Sequence, residues 1–247
     1  MKKLTKRVVI KIGSSSITHH EYGLNTAFME SIAKQVSTLK RDGIEVALVS
    51  SGAVAAGRRI LGDINGDLVD KQIAAMYGQP ELISEWRRAF LKYGILVGQG
   101  LFTGNDLDQP KLPLLGALKM GVPVINANDP VNNEEMKRYL VAADNDQLSG
   151  FVTELIDAQK LVLLTDIDGV LDNSGHVIRE INSFDDLIKI ETNGKSASGT
   201  GGMMSKLDVA WVAAYNGRTA WIANAHMEDV ILKIVQGESV GTKVCLK

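Results

Sequence analysis

Val8-Val9-Ile10-Lys11-Ile12 is a β-branched run interrupted by one lysine, and it stops at Gly13-Ser14-Ser15-Ser16. A short apolar strand closed by a small-residue turn opens a βαβ unit when an amphipathic helix follows it. One does follow: Phe28, Met29, Ile32, Ala33, Val36 and Leu39 recur at three- and four-residue steps, and Gly43 supplies the stop. Val46-Ala47-Leu48-Val49 is then a second strand, and it runs into Ser50-Ser51-Gly52-Ala53.

The same alternation continues along the chain. A helical block is expected over 71–93, broken near Gln79 by Gly78 and Pro80. Ile95-Leu96-Val97 is a strand candidate, and 104–113, polar and containing Pro110 and Pro113, reads as loop. Val122-Pro123-Val124-Ile125 is a strand whose proline marks its start or the sheet edge. A polar segment, 126–146, precedes a helix that begins near Gln147. Lys160-Leu161-Val162-Leu163-Leu164 is a strongly apolar strand, followed by Asp166-Ile167-Asp168-Gly169, a short meander and a Gly/Ser-rich stretch over 194–202. A helix over 206–215, a strand over 219–223 and a helix over 228–235 close the chain. Strands alternating with helices in this way specify an α/β protein with a mainly parallel sheet. No internal repeat or low-complexity linker is present. A soft boundary near Asp157 divides the 247 residues into two lobes of one sheet or two small domains.

Composition narrows the classes of function. A net charge of −2 carries no basic field for nucleic acid or an anionic membrane. The single cysteine, Cys245, excludes an internal disulfide and a Cys-rich metal cluster, and fits a reducing compartment. The basic start, Met1 to Arg7, is followed by too short an apolar run for a signal peptide, and no run approaches the ~20 residues of a membrane span. The expected location is the cytoplasm.

In open parallel sheets ligands sit beyond the carboxyl ends of the strands. Those positions hold Gly13-Ser14-Ser15, Ser50-Ser51-Gly52-Ala53, Asn126-Ala127-Asn128-Asp129 and Thr165-Asp166. Gly-containing turns ahead of a helix expose N–H groups that can cradle phosphate or carboxylate, although such turns also arise for steric reasons alone. Lys11 stands inside an apolar strand, where lysine is rarely buried unpaired. Either it lies at a solvent-facing end, or it sets an ammonium over a phosphate. Asp144-Asn145-Asp146 precedes a helix, so either acid can be a plain N-cap; the pair can also bind an ammonium group or hold a lysine in place. Ser198 to Lys206, rich in glycine, is either a flexible loop or a segment that closes on a ligand with Lys206 pointing at it.

Three look-alikes fail. Gly194-Lys195-Ser196 lacks the earlier glycine of a P-loop, because Lys189 stands there. Leu164 to Leu171 resembles an aspartyl-nucleophile phosphatase motif but lies far from the N-terminus, with Asp185-Asp186 too close behind it. His19-His20-Glu21 reads as an exposed polar loop rather than a metal site.

Taken in order, these segments resemble the amino acid kinase family, in particular its glutamate-phosphorylating members. The match rests on Val9 to Ser15, Val49 to Gly57, Val122 to Asp129, Asp144 to Ser149, Leu163 to Asp166 and Gly199 to Leu207, which span the chain nearly end to end. The resemblance implies a three-layer αβα sandwich forming one domain, with an acceptor-binding lobe over 1–157 and a nucleotide-binding lobe over 158–247. It implies ATP, Mg²⁺ carried mainly by the ATP phosphates, and L-glutamate as ligands, with γ-glutamyl phosphate as product, the first step toward proline. It further implies a homo-oligomer (dimer or tetramer) and proline as feedback inhibitor. By position, Lys11 and Lys206 neutralise the phosphoryl group and Asp146 orients both. Ser51, Gly52, Ala53, Asp129, Asp144 and Asn145 hold the acceptor. Lys11, Gly13, Thr165, Asp166, Thr200, Gly201, Gly202, Met203, Met204, Ser205 and Lys206 hold the nucleotide.

The sequence also departs from the family pattern. Many members carry a C-terminal PUA domain, which this sequence does not contain. Ala127 stands where the family has glutamate, and the segment between Phe102 and Val122 is short. The competing readings are a kinase of the same fold acting on another carboxylate, carbamate or phosphate, and a non-catalytic nucleotide-binding regulator. A nicotinamide dehydrogenase is disfavoured because no Gly-x-Gly-x-x-Gly follows the first strand.

Overall fold

A computed structural model describes residues 6–19, 23–62, 67–103, 110–131, 145–192 and 202–246. Its centre is β1 (Arg7–Ile12), paired in parallel with β4 (Glu45–Ser50) on one side and β7 (Lys160–Thr165) on the other. Beyond β4 lie β6 (Gly121–Ala127) and the edge strand β5 (Leu96–Phe102). Beyond β7 lie β9 (Thr219–Asn224), the antiparallel β10 (Thr242–Val244) and β8 (Glu180–Ile181). A separate two-stranded ribbon pairs β2 (Thr18–His19) with β3 (Gly23–Leu24).

Strand periodicity sorts the core into two faces. Val8, Ile10 and Ile12 of β1 point to one face, where they meet the side chains of α2 (Thr26–Arg41), α4 (Leu68–Leu91) and α9 (Val230–Gln236). Val9 points to the other face, with α5 (Lys111–Met120), α6 (Asn145–Leu155), α7 (Phe184–Thr192) and α8 (Gly202–Tyr215). Helices on both faces of a mostly parallel sheet make the three-layer αβα sandwich. Lys11 follows the Val9 direction, so β1 aims its one charged side chain at the α6 layer.

Several local expectations are corrected. The 71–93 block does not break at Gln79: α4 is one helix from Leu68 to Leu91 with Pro80 inside it. Pro80 leaves the Met76 carbonyl without its usual donor, but Met76 is exposed and water can serve there. Gly78 is required by packing. A Cβ at Gly78 would lie 1.8 Å from the Ala53 carbonyl oxygen, and one at Gly57 would lie 1.7 Å from that of Ala74. The two glycines let α3 (Ala53–Leu61) and α4 touch backbone to backbone. Pro123 is not at the sheet edge, since β6 lies between β5 and β4. Pairing with β4 begins only at Val124, so the missing N–H of Pro123 costs no bond on that side.

Residues 111–113 open α5 instead of continuing a loop; Pro110 is its N-cap and Pro113 lies in its first turn, where an N–H would have no helical acceptor. Ser14–Ile17 forms a short α1 directly after Gly13. β5 runs well past Val97, α8 begins at Gly202 rather than 206, and α7 and β10 had no sequence signal.

Two buried polar contacts fix how the layers meet. Gln35 of α2 accepts the Ile231 N–H in the first turn of α9 at 2.9 Å, supplying a cap that Asp229 does not. Trp86 of α4 is fully buried and donates its Nε1–H to Ser50 Oγ at 2.9 Å, at the carboxyl end of β4. Trp86→Phe is expected to cost about 1–3 kcal/mol, the range for removing one partner of a buried hydrogen bond with packing mostly kept. Urea denaturation measures it, and an unchanged midpoint would show that the bond does not hold α4 to the sheet. Among the described residues no helix is long and apolar enough to cross a membrane.

Candidate active site

The strand order reverses at β1, and the carboxyl ends of β1, β4, β6 and β7 converge there. Lys11 is 5% exposed and Asp146, in the first turn of α6, is 3% exposed. Lys11 Nζ lies 2.6 Å from Asp146 Oδ1, and Lys206 Nζ lies 3.1 Å from Asp146 Oδ2. Lys206 sits one turn into α8 and also donates to the Gly202 carbonyl at 3.0 Å. Two lysines 195 positions apart in sequence therefore share one carboxylate.

This settles two alternatives. Lys11 is not at a solvent-facing strand end; it is a buried ion-pair partner. Asp146 lies inside α6, with its carboxylate given to the lysines, so it is not that helix's N-cap. Ionised, the triad carries one surplus positive charge in a setting where desolvation makes charge expensive unless it is paired. An anion is the natural complement.

The turns after β4 and β6 are tied together by Asn145. Its Nδ2 donates to Ser51 Oγ at 2.9 Å and its Oδ1 accepts from the Ala127 N–H at 3.3 Å, so α6 clamps the ends of β4 and β6. The Ser51 N–H bonds the Ile12 carbonyl at 3.1 Å, which brings the β1 end into the same cluster. Gly52 adopts φ +112°, a region that disfavours any side chain, and its missing Cβ would meet Ile17 Cγ2 at 2.8 Å. It starts α3, with Ala53 buried as the first helical residue. Asp129 follows in the turn after β6.

On the other side of β1, Gly13 leaves room beside the ammonium: a Cβ there would stand 3.8 Å from Lys11 Nζ and 3.9 Å from the Leu164 carbonyl oxygen. Thr165 ends β7 and donates from Oγ1 to Asp166 Oδ1 at 3.1 Å. Gly202, Met203, Met204 and Ser205 form the first turn of α8 rather than a loop. Asp144, Thr200 and Gly201 lie outside the described residues, as do His20, Glu21 and 194–196. Among the described residues no group of three or more His, Cys, Asp or Glu side chains is arranged to hold a metal.

Sequence reasoning passed over two residues here. Asn126, on β6, is 2% exposed, and among the described residues neither its Oδ1 nor its Nδ2 has a hydrogen-bond partner. Gln79 of α4, also buried, donates to the Ala127 carbonyl at 3.4 Å. The signal for Asn126 was the same as for Lys11, a polar residue at the end of an apolar strand.

A Lys–Asp–Lys triad at the reversal of a parallel sheet, flanked by two N–H-bearing turns, is suited to a phosphoryl group passing between two anions. Residues 6–224 match the profile of the amino acid kinase family. The chain belongs to that family. Among similar members is the glutamate 5-kinase of Shewanella oneidensis, 39% identical over 96% of this chain and 67% of the relative. The glutamate 5-kinase of Caldanaerobacter subterraneus is 38% identical over 96% of this chain and 67% of its own. That of Symbiobacterium thermophilum is 36% identical and matches along 96% of this chain and 95% of the relative. The amino acid kinase match takes in β1, β4, β6, β7 and both lysines of the triad.

Proposed function

We propose that the protein transfers the terminal phosphoryl group of ATP to the γ-carboxylate of L-glutamate, giving γ-glutamyl 5-phosphate and ADP, the first step toward proline. The observation that carries this reading is the buried triad of Lys11, Asp146 and Lys206. A carboxylate oxygen attacks the γ-phosphorus in line as the bond to the ADP oxygen breaks. The attacking group is already deprotonated, so no strong general base is required. The obstacle is repulsion between two anions. Lys11 and Lys206 offset it on the equatorial oxygens, and Asp146 keeps the two ammonium groups together before substrate arrives. Mg²⁺ would be held mainly by the ATP phosphates and would supply charge neutralisation at the leaving group.

The acceptor half, 1–157, holds glutamate through Ser51, Gly52, Ala53, Asp129, Asp144 and Asn145. Asn126, with both amide atoms unpartnered, adds a group that a polar ligand would satisfy. The nucleotide half, 158–247, holds ATP through Thr165, Asp166 and the segment from Thr200 to Lys206, with Gly13 leaving space at Lys11. The glutamate 5-kinase names of the relatives support the choice of acceptor. The enzyme acts in the cytoplasm as a homo-oligomer, and L-proline is its feedback inhibitor.

The test is a hydroxamate assay on purified protein. γ-Glutamyl hydroxamate is expected only when ATP, Mg²⁺ and L-glutamate are all present, and proline is expected to reduce its yield. Absence of hydroxamate with glutamate, alongside ADP release with another carboxylate, carbamate or phosphate, would replace the acceptor. ATP binding without turnover on any acceptor would overturn the kinase reading.

A further inference from the structure

The turn that follows β7, Thr165-Asp166-Ile167-Asp168, carries two carboxylates, and only the first has a part in the proposed function. Asp168 is exposed, yet it is tied down. Asn224 Nδ2 donates to Asp168 Oδ1 at 2.8 Å. The same side chain accepts the His226 N–H on its Oδ1 at 2.9 Å. One amide therefore holds the turn after β7 and the turn after β9 together.

The strand register makes that hold direct. Thr165 and Asn224 are partners on the last rung of the β7–β9 ladder. The next N–H, that of Ala225, donates to the Thr165 carbonyl at 2.7 Å. The 165–168 turn is thus closed at its start by backbone and at its finish by the Asn224 side chain. Leu161 and Leu163 of β7, and Ala220 and Ile222 of β9, point to the layer of α6 and α8. Strand alternation carries Thr165 and Asn224 the same way, toward the side on which Lys11 and Lys206 meet. Across β1, Asn145 does the same for the turns after β4 and β6, donating to one and accepting from the other.

Holding these acids still matters beside a polyanion, because a carboxylate that swings toward a phosphate chain repels it. Thr165 Oγ1 restrains Asp166 at 3.1 Å, and Asn224 restrains Asp168.

We propose that Asn224 is a positioning residue for the nucleotide: through Asp168 it fixes the turn that presents Thr165 and Asp166 to ATP. The proposal rests on the kinase reading above only as far as ATP binding. Its readout is therefore the dissociation constant of ATP with Mg²⁺, measured by calorimetry on the full chain without an acceptor. Asn224→Asp removes the donor and sets two carboxylates against each other; it is expected to weaken ATP binding by about tenfold or more, the effect of losing one hydrogen bond to a charged group. Asp168→Asn keeps an acceptor for Asn224 and is expected to bind ATP within about twofold of wild type. The transposed protein, Asn224→Asp combined with Asp168→Asn, has the wild-type composition and charge. It remakes the bond with the donor at 168, and its affinity is expected to return to within about threefold of wild type. Asp168→Ala breaks the bond from the exposed side with the same expected loss as Asn224→Asp, and decides the question if that variant fails to fold. A bond that serves folding alone would lower Tm and leave the ATP affinity of the folded variants unchanged. Wild-type affinity in Asn224→Asp or Asp168→Ala, or a transposed protein no better than Asn224→Asp, would overturn the proposal and leave the kinase reading standing. A wild-type chain that does not bind ATP would bring down both.

Discussion

Lys11→Met and Lys206→Met are each expected to lower kcat by about 10²–10³-fold or more, the loss seen when one donor to a developing oxyanion is removed. The two variants differ in what else they lose. Lys11 is almost fully buried and pairs with a carboxylate that is equally buried. Breaking such a pair costs about 3–5 kcal/mol when a charge is left uncompensated. Here Asp146 keeps Lys206, so the structural loss should lie at the low end, about 3 kcal/mol, or roughly 6–12 °C in Tm for a chain of this size. Lys206 is more exposed, at 13% for its side chain, and Asp146 retains Lys11 when it is removed. Its replacement should change Tm little while kcat still collapses. That split separates catalysis from folding: a purely structural triad would make both variants lose activity only in proportion to their stability. Near-normal kcat in either folded variant would sink the assignment.

Gly57→Ala and Gly78→Ala are the second pair of large effects, and both act on stability. The added Cβ meets backbone, not a flexible side chain, at 1.7 Å from Ala74 O or 1.8 Å from Ala53 O. Neither helix has a rotamer with which to give way, so α3 and α4 must separate. Overpacking in cores costs about 1–3 kcal/mol and sometimes more; a backbone collision belongs at the upper end, about 3 kcal/mol or beyond. Gly116→Ala is the control, since it lies in a helix with nothing within 4 Å of the added atom. It is expected to be neutral or stabilising by up to about 1 kcal/mol. Urea denaturation of the three proteins measures the contrast. Equal midpoints would show that the helices have slack between them. Because α3 starts at Gly52 and Ala53, separation should also raise KM for the acceptor.

Which parts of this were legible in the sequence follows from where the information resides. Buried parallel strands are written as continuous apolar runs, so β1, β4 and β7 were readable, and Lys11 stood out against that background. The unbroken course of α4 was not readable. Gly78 and Pro80 are local breakers, and their tolerance depends on Ala53 arriving from another helix and on solvent at Met76. Pro110 and Pro113 misled in the same way, since a proline that ends one helix can begin another. β8 and β10 are two and three residues long, too short for any periodicity to show. In the site, the lysines and Asp146 were individually visible, and their meeting was expected only through the family resemblance, because no local pattern joins residues so far apart in the chain. Asn126 was visible and overlooked, because it lay inside a longer motif and drew no separate question.

β1 is the seam of the molecule. The strands on its left lead to turns held by Asn145, and those on its right lead to Thr165 and α8. Only Lys11 and Asp146 need to be intelligible to both sides. Such a layout lets inheritance tinker with the turns on one side of the seam without renegotiating those on the other.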